Sequence, residues 1–218
     1  YFFGRGAPRA LQNIGGVANV TIIGGRLAPV AFDTGPGNSL IDAATRELTR
    51  GRQAFDRGGR LARGGGIDMK AIRQLWAHPY FAAPPPKSTG PETFNATLFP
   101  AAFGRMWRRR LPDVLATVTY FTAYSIAHGY RRFAPARLRE VVVSGGGALN
   151  HTLMRQLAAL MAPIPVRSIA DYGLPPQAKE PVAFAFLGWR ALRGKSNHLP
   201  GATGAETEGD TDSECSAA

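Results

Sequence analysis

The segment that most constrains the fold is residues 141–150, with the sequence VVVSGGGALN. Its three consecutive valines predict a buried β-strand, because β-branched residues fit a pleated environment that is apolar on both sides. Three glycines then end the strand, and residues 148–162 predict an amphipathic helix. Such a turn lets backbone N–H groups approach an anion closely. The same turn can equally be a structural strand-to-helix connection that binds no ligand. Neither of the two common nucleotide-binding motifs, GxGxxG and Walker A, is present in the sequence.

The first glycine turn in chain order lies near the start of the chain. Residues 11–23 predict a β-hairpin that turns at Gly15 and Gly16, and residues 30–32 predict a third short strand. A Gly-Gly hairpin can present backbone amides to a phosphate group. The turn can equally be an ordinary hairpin connection, so by itself it does not establish a binding site.

The second glycine turn, residues 33–38 (DTGPGN), follows that strand as a polar loop, so residues 145–147 are the third turn in chain order. It precedes a helix predicted over residues 39–50, which Asn38 or Ser39 can cap. The carboxylate of Asp33 can hold a magnesium ion directly or through water. An Asx-type turn explains this loop equally well, but three such turns in one domain favour a ligand site.

The remaining elements are predicted from periodicity and from breaker residues. Further helices are expected over residues 67–76, 111–132 and 179–193, and a short strand over residues 166–169. The final helix is expected to pack through Val182, Phe186 and Leu187.

The expected connections are more irregular. Residues 51–66, rich in Gly and Arg, predict a polar, mobile loop, whereas residues 80–86 (YFAAPPP) exclude a helix. Pro91 and Glu92 suit the first turn of a short helix.

The order of these elements predicts an α/β fold with a mixed β-sheet covered by helices. We expect one folded unit over residues 1–195, followed by an acidic, disordered tail over residues 196–218.

Composition narrows the class of protein. The net charge of +11 combines a body of +16 with a tail that carries five acids and no Lys or Arg. A body this basic raises the question of nucleic acid, but only residues 105–110 (RMWRRR) form a true cluster, so we expect no nucleic-acid partner. No apolar run approaches the roughly 18 residues of a membrane span, and no signal peptide is recognisable. The single cysteine, Cys215, excludes an intrachain disulfide framework and predicts a cytoplasmic protein.

Several segments together resemble the anhydro-N-acetylmuramic acid kinases, which belong to the actin-like ATPase and sugar-kinase superfamily. They are NIGGVANVTI, AFDTGPGNSLIDA, PPPKSTGPETFN, VVVSGGGALNHTLMRQL, AKEPVAFAFLGWRAL and NHLPGATGA. The resemblance runs from about residue 11 to residue 205. It implies one lobe of an actin-like ATPase (ribonuclease H-like) fold.

The resemblance also implies a reaction. The family uses ATP and Mg²⁺ to open the 1,6-anhydro ring of anhydro-N-acetylmuramic acid with water, yielding N-acetylmuramic acid 6-phosphate. Phosphate or metal contacts are implied for Asn13, Gly15, Gly16, Asn19, Asp33, Thr34, Gly35, Gly37 and Asn38, with Asp33 as the metal ligand. Adenosine contacts are implied for Gly145, Gly146, Gly147 and Asn150, and a sugar contact for Glu180.

Two parts of the family pattern have no counterpart in this sequence. They are the first phosphate hairpin and the aspartate that acts as general base, which is expected upstream of Tyr1. We therefore expect a C-terminal lobe without a catalytic residue of its own, inactive in isolation, from a family whose full-length members are homodimers. The alternatives are a non-catalytic lobe that binds a nucleotide or a partner and, less favoured, a basic nucleic-acid binder.

Overall fold

The computed structural model describes residues 6–25, 28–135 and 137–197, which form a mixed five-stranded β-sheet with helices packed against it. The strands are β1 (Arg9–Ile14), β2 (Val17–Ile23), β3 (Val30–Pro36), β4 (Glu140–Ser144) and β5 (Val166–Ser168). The helices are α1 (Ser39–Thr49), α2 (Met69–Trp76), α3 (Phe99–Phe103), α4 (Leu111–Phe133), α5 (His151–Met161) and α6 (Lys179–Ala191). Most of the predicted tail lies outside the described residues.

The sheet has the strand order β3-β2-β1-β4-β5. The β1–β2 and β2–β3 pairs are antiparallel, whereas the β1–β4 and β4–β5 pairs are parallel. Every residue of β4 is buried, as its run of valines predicts for an internal parallel strand. The mixed sheet confirms the predicted α/β class.

The long helix α4 forms the centre of the core, in contact with α1, α5 and β3. It also carries a buried polar link to the sheet, because the Tyr130 hydroxyl donates to Gln12 Oε1 at 2.6 Å. The amide nitrogen of Gln12 in turn donates to the carbonyl of Asn19 at 2.9 Å. These buried polar groups are therefore hydrogen-bonded, as a stable core requires. Within the described residues, no helix is long and apolar enough to cross a bilayer.

Residues 51–66 are packed against α4 and α5 and do not form the mobile loop expected from their composition. They contain two short 3-10 helices, Arg57–Gly59 and Ala62–Gly64. The side chain of Asp56 is buried and accepts hydrogen bonds from the amides of Leu61 at 3.0 Å and Ala62 at 2.9 Å. A single buried carboxylate thus organises the segment, which composition alone does not indicate.

The connection between α2 and α4 also differs from expectation. A short 3-10 helix, Pro79–Phe81, lies where no helix was expected, and Phe81 stacks on Trp76 at 4.6 Å between ring centroids. Pro91 and Glu92 form a turn rather than the start of a helix. The short helix of this region, α3, begins only at Phe99, after a 3-10 turn over Ala96–Leu98.

Helix α6 forms where it was predicted, but the prediction of its packing is wrong. None of its residues is buried, and its large apolar side chains stay in contact with solvent. The exposed fractions are 51% for Val182, 72% for Phe184, 54% for Phe186 and 45% for Trp189. Helical periodicity identified an apolar face correctly, but the described residues contain no surface that covers it.

Candidate functional site

The first and third glycine turns meet at one end of the sheet. Strands β1 and β4 run parallel and side by side, with Asn13 paired to Ser144, so the turns that follow them are neighbours. A Cβ atom on Gly145 would lie 2.6 Å from the carbonyl oxygen of Ile14, and one on Gly147 would lie 2.5 Å from Ile14 Cβ. Gly145 also has a φ of +83°, which favours glycine.

The second glycine turn is hydrogen-bonded to the first. The carbonyl of Gly15 accepts from the amide of Asn38 at 2.7 Å. The carbonyl of Gly16 accepts from the amides of Gly37 at 2.9 Å and Ser39 at 3.1 Å. Strand β3 continues to Pro36, so only Gly37 and Asn38 connect it to α1, and residues 33–36 are not the loop that was expected. The three amides fix the start of α1 against the hairpin and are not available to an anion.

The third turn contains a short 3-10 helix, Gly146–Leu149, before α5 begins at His151. The helix therefore starts three residues later than predicted, because Asn150 is its cap and accepts the Leu153 amide through Oδ1 at 3.0 Å. Of the three glycines, only Gly146 is exposed. A Cβ atom on Gly146 would meet only Asn38 Nδ2, at 3.6 Å. This glycine is thus the member of the triplet that faces open space.

Gly146 lies between two cavities. Cavity A, of about 600 Å³, is enclosed by α1, residues 55–58 and the third turn, and its lining includes Asn38, Asp42, Phe55, Gly146, Leu149 and Asn150. Cavity B, of about 290 Å³, lies at the start of α6 and is lined by Asn13, Gly15, Gly145, Gly146, Pro176, Gln177, Lys179 and Glu180. Residues from both predicted sets therefore line these two cavities: Asn13, Gly15 and Asn38 from the phosphate set, and Gly145, Gly146 and Asn150 from the adenosine set.

Cavity B contains a lysine that the sequence analysis missed. Burial lowers the pKa of Lys179, and the neighbouring Glu180 carboxylate partly offsets this effect. Asn13 links the cavity to the sheet, because its Nδ2 donates to Glu180 Oε1 at 3.5 Å and its Oδ1 accepts from Ser144 at 3.2 Å. Only the position of Lys179 beside Glu180 in the AKE segment could have indicated its role.

Asp42 is a second residue to which no role was assigned. It lines cavity A and also cavity C, a third cavity of about 780 Å³ between α1 and residues 91–97 that includes Gly16. Burial raises the pKa of Asp42 to about 6, although Arg46 acts in the opposite direction. The sequence signal for Asp42 was its position one helical turn after Asn38, because that spacing brings both side chains to the same end of α1.

Four of the expected phosphate or metal residues lie within the sheet, and none of them lines cavities A, B or C. They are Asn19, Asp33, Thr34 and Gly35. The Asp33 carboxylate accepts the Thr89 amide at 2.8 Å, and burial raises its pKa. The Thr34 hydroxyl is buried and donates to the Ala18 carbonyl at 3.0 Å. In this geometry these side chains stabilise β3 and its neighbours.

The described residues contain no group of three or more His, Cys, Asp or Glu side chains that could hold a metal ion by themselves. Magnesium does not require such a cage, because it is usually bound by one or two carboxylates together with water and substrate phosphates. The chemistry of this region therefore fits magnesium that arrives with a nucleotide.

Two of the four arginines in the basic cluster, residues 105–110, form ion pairs. Arg108 donates to both carboxylate oxygens of Glu47, at 3.1 and 3.3 Å. Arg110 contacts Asp68 and Asp113, each at 3.4 Å. These contacts pair half of the cluster's arginines with carboxylates of the same chain, which does not favour a nucleic-acid surface.

Comparison with known proteins identifies the family to which this chain is similar. A model of the family "Anhydro-N-acetylmuramic acid kinase" matches residues 3–211. A relative of that name from Streptomyces coelicolor is 44% identical over 92% of this chain and 50% of its own length. One from a Cyanothece species is 42% identical over 92% of this chain and 55% of its own length. The chain thus spans about half the length of the curated relatives it matches.

Among solved structures, the similarity is more distant. The activator of the 2-hydroxyisocaproyl-CoA dehydratase from Clostridium difficile, with bound ADPNP, gives a TM-score of 0.48 at 15% identity. The match covers 78% of this chain and 55% of that protein. The family model matches nearly the whole chain, and the predicted lobe of an actin-like ATPase (ribonuclease H-like) fold agrees with the observed sheet. The chain therefore belongs to the anhydro-N-acetylmuramic acid kinase family.

Proposed function

We propose that this chain is one lobe of an ATP-dependent kinase that acts on 1,6-anhydro-N-acetylmuramic acid. The reaction opens the anhydro ring with water and phosphorylates the sugar, giving N-acetylmuramic acid 6-phosphate, as the family resemblance implies. The observation that carries the proposal is the meeting of three glycine turns beside cavities A and B. Because the chain spans about half of its relatives, turnover requires the other half of a full-length kinase.

The nucleotide phosphates are proposed to lie at Gly146, on the side of cavity B. Phosphoryl transfer depends chiefly on positioning and on neutralising charge, and this cavity combines glycine backbone with the cation of Lys179. Gly15 and Gly145 are held in place by their contacts with β1 and with the second turn. These contacts keep the backbone of the site fixed before a ligand arrives.

We assign the magnesium contact to Asp42, which lines cavity A together with Gly146, a residue that cavities A and B share. Asp42 lines the two larger cavities, whereas Asp33, the ligand that the resemblance implies, lines neither and is hydrogen-bonded to Thr89. A bound magnesium ion would neutralise charge that develops on the phosphates. We expect Asp42→Asn to raise the magnesium concentration needed for tight ATP binding at least several-fold. Asp33→Asn is the matched control and should leave it unchanged; the opposite result would assign the ion to Asp33.

The sugar is proposed to approach from the α6 side, where Glu180 lies in cavity B beside Asn13. The general base and the first phosphate hairpin belong to the other half of the kinase. We further propose that the full-length kinase is a cytoplasmic homodimer that recycles cell-wall sugar.

Calorimetric titration with MgATP and MgADP tests the nucleotide site of this chain. Binding in the micromolar to low-millimolar range is expected, with the fold checked by circular dichroism. Adding the other half of a related kinase in trans should then restore ADP release that depends on the anhydro sugar. Robust sugar-dependent ADP release from this chain alone would refute the proposed division of labour, and a folded chain without binding would refute a preformed nucleotide site.

Helix α6 favours a second role, as a docking surface for that other half. Its exposed face includes Phe184, Phe186 and Trp189, and the relatives contain about as much chain again as is present here. Burying such side chains is worth about 1.5–3 kcal/mol each, so a lobe seated on them would be held firmly. If Phe184→Ser with Phe186→Ser prevents reconstitution in trans but preserves MgATP binding, docking is supported. Unimpaired reconstitution by the double variant would exclude it.

A further inference from the structure

Cavity C lies between α1 and residues 91–97, apart from the region proposed for the nucleotide. It shares only Asp42 with the lining of cavity A and no residue with that of cavity B. It extends along α1 from Ser39 to Arg50, and its volume of about 780 Å³ lies within the range of roughly 300–1,000 Å³ found for small-molecule sites. Cavity C is therefore large enough and separate enough to be a binding site of its own.

Two arginines line the end of cavity C that is formed by the last turn of α1. Arg46 and Arg50 are four residues apart, so both side chains lie on the same side of the helix. Within the described residues neither forms an ion pair, and the guanidinium of Arg46 donates only to the Ala54 carbonyl, at 3.4 Å. Glu47 also lines this end, but Arg108 binds both oxygens of its carboxylate. The two guanidinium groups are therefore available to a phosphate group.

The backbone of Arg50 is in a conformation that arginine does not favour. Its φ of 53° and ψ of 45° are left-handed, and it is the one residue other than glycine with a positive φ in the described part of the chain. Glycine is the usual residue in this conformation at a helix end, because a Cβ atom makes it unfavourable. An arginine here costs stability, which points to a function for its side chain in the cavity.

The opposite end of cavity C contains a polar atom that lacks a partner. The Oγ atom of Ser39 is buried and has no hydrogen-bond partner within the described residues, whereas buried hydroxyl groups normally have one. Ser39 precedes Arg46 by seven residues, or about 10 Å along the helix axis. A sugar with a phosphate group at one end and hydroxyl groups at the other spans a distance of this order.

We propose that cavity C binds a sugar phosphate, with the phosphate between Arg46 and Arg50 and a sugar hydroxyl group hydrogen-bonded to Ser39 Oγ. This site goes beyond the proposed function, because its ligand is neither the nucleotide at Gly146 nor the sugar assigned to cavity B.

Calorimetric titration with glucose 6-phosphate tests the proposal. Binding is expected in the micromolar to low-millimolar range, and Arg46→Gln and Arg50→Gly should each weaken it about 10-fold or more. Arg73→Gln is the matched control and should bind normally, because Arg73 is exposed on α2 and lines none of the three cavities. Normal binding by both cavity variants, or an equal loss in the control, would overturn the proposal.

Thermal melts separate a binding role from a structural one. Arg50→Gly should keep or raise the melting temperature, because glycine relieves the left-handed backbone. Ser39→Ala should likewise keep the melting temperature, because it removes a buried hydroxyl without a partner, and should weaken binding several-fold. If both variants melt at lower temperature and bind glucose 6-phosphate normally, the two side chains are structural and the proposal is overturned.

Two further comparisons identify the ligand and the site. Inorganic phosphate and glucose each match one end of the cavity and should bind more weakly than glucose 6-phosphate; equal affinity for inorganic phosphate would overturn the assignment of a sugar phosphate. Gly146→Val alters cavities A and B and should bind glucose 6-phosphate normally, so loss of binding there would overturn the separate site. A folded chain that binds MgATP but not glucose 6-phosphate would refute this inference alone, and the reverse result would refute the proposed function alone.

Discussion

Gly146 is the residue at which nucleotide binding can be tested apart from folding. A Cβ atom there would meet only Asn38 Nδ2 at 3.6 Å, an ordinary contact, and its φ lies outside the left-handed region. Gly146→Ala should therefore leave the free energy of unfolding unchanged or raise it by about 0.4–1 kcal/mol, because alanine restricts the conformations of the unfolded chain. At Gly147 the same atom would lie 2.5 Å from Ile14 Cβ. Gly147→Ala should cost about 1–3 kcal/mol through overpacking.

Gly146→Val tests whether Gly146 contacts the nucleotide, because the branched valine side chain would enter the space between cavities A and B. Loss of one hydrogen bond to a charged phosphate is worth about 1.5–3 kcal/mol, so MgATP affinity should fall by about 10-fold to 150-fold or become undetectable. Calorimetry measures the affinity, and a thermal melt checks the fold. Gly188→Val is the matched control, since a Cβ atom at Gly188 on α6 meets nothing within 4 Å. Unchanged MgATP binding by Gly146→Val would refute the assignment of the third turn to the nucleotide.

Two stability predictions follow from buried polar groups. Burial raises the pKa of Asp42 from 3.8 to about 6, so the stability it contributes is present below pH 4 and is lost as pH rises through about 6. The free energy of unfolding of Asp42→Asn, measured in urea, should therefore rise by about 1–3 kcal/mol relative to that of the unaltered chain as pH increases from about 4 to about 7.5. A difference between the two proteins that stays constant with pH would contradict the raised pKa. Tyr130→Phe removes the donor to buried Gln12 Oε1 and should cost about 1–3 kcal/mol, a fall of roughly 2–12 °C in melting temperature. Tyr124→Phe, whose hydroxyl has no hydrogen bond within the described residues, is the control, and equal melting temperatures for both variants would argue against the buried link.

Local sequence patterns were sufficient for most of the elements. Valines 141–143, the hairpin glycines and the periodicity of residues 111–132 each predict an element that the structure contains. These patterns work because strand pleat, turn geometry and helical repeat depend on residues close together in the chain. The resemblance carried by FDTGPGN and PPPKSTG led to the family that the comparisons establish.

Local patterns were insufficient where a residue's role depends on what packs against it. The six Gly and four Arg of residues 51–66 suggested mobility, but the buried Asp56 orders the segment. The apolar face of α6 was expected to be buried, yet the described residues provide nothing to cover it. Asp33 lies in a recognisable motif but turns toward Thr89, whereas Asp42 faces two cavities.

The sequence by itself therefore determined most of the elements, the family and the positions of the three glycine turns. Only the tertiary structure decided that Gly145 and Gly147 pack against Ile14 while Gly146 faces the cavities. The sequence of the triplet is symmetric, and the asymmetry arises from the parallel pairing of β4 with β1, which places one neighbouring strand against two of the glycines. Such a distinction depends on contacts between residues about 130 positions apart, which no local pattern of side chains encodes.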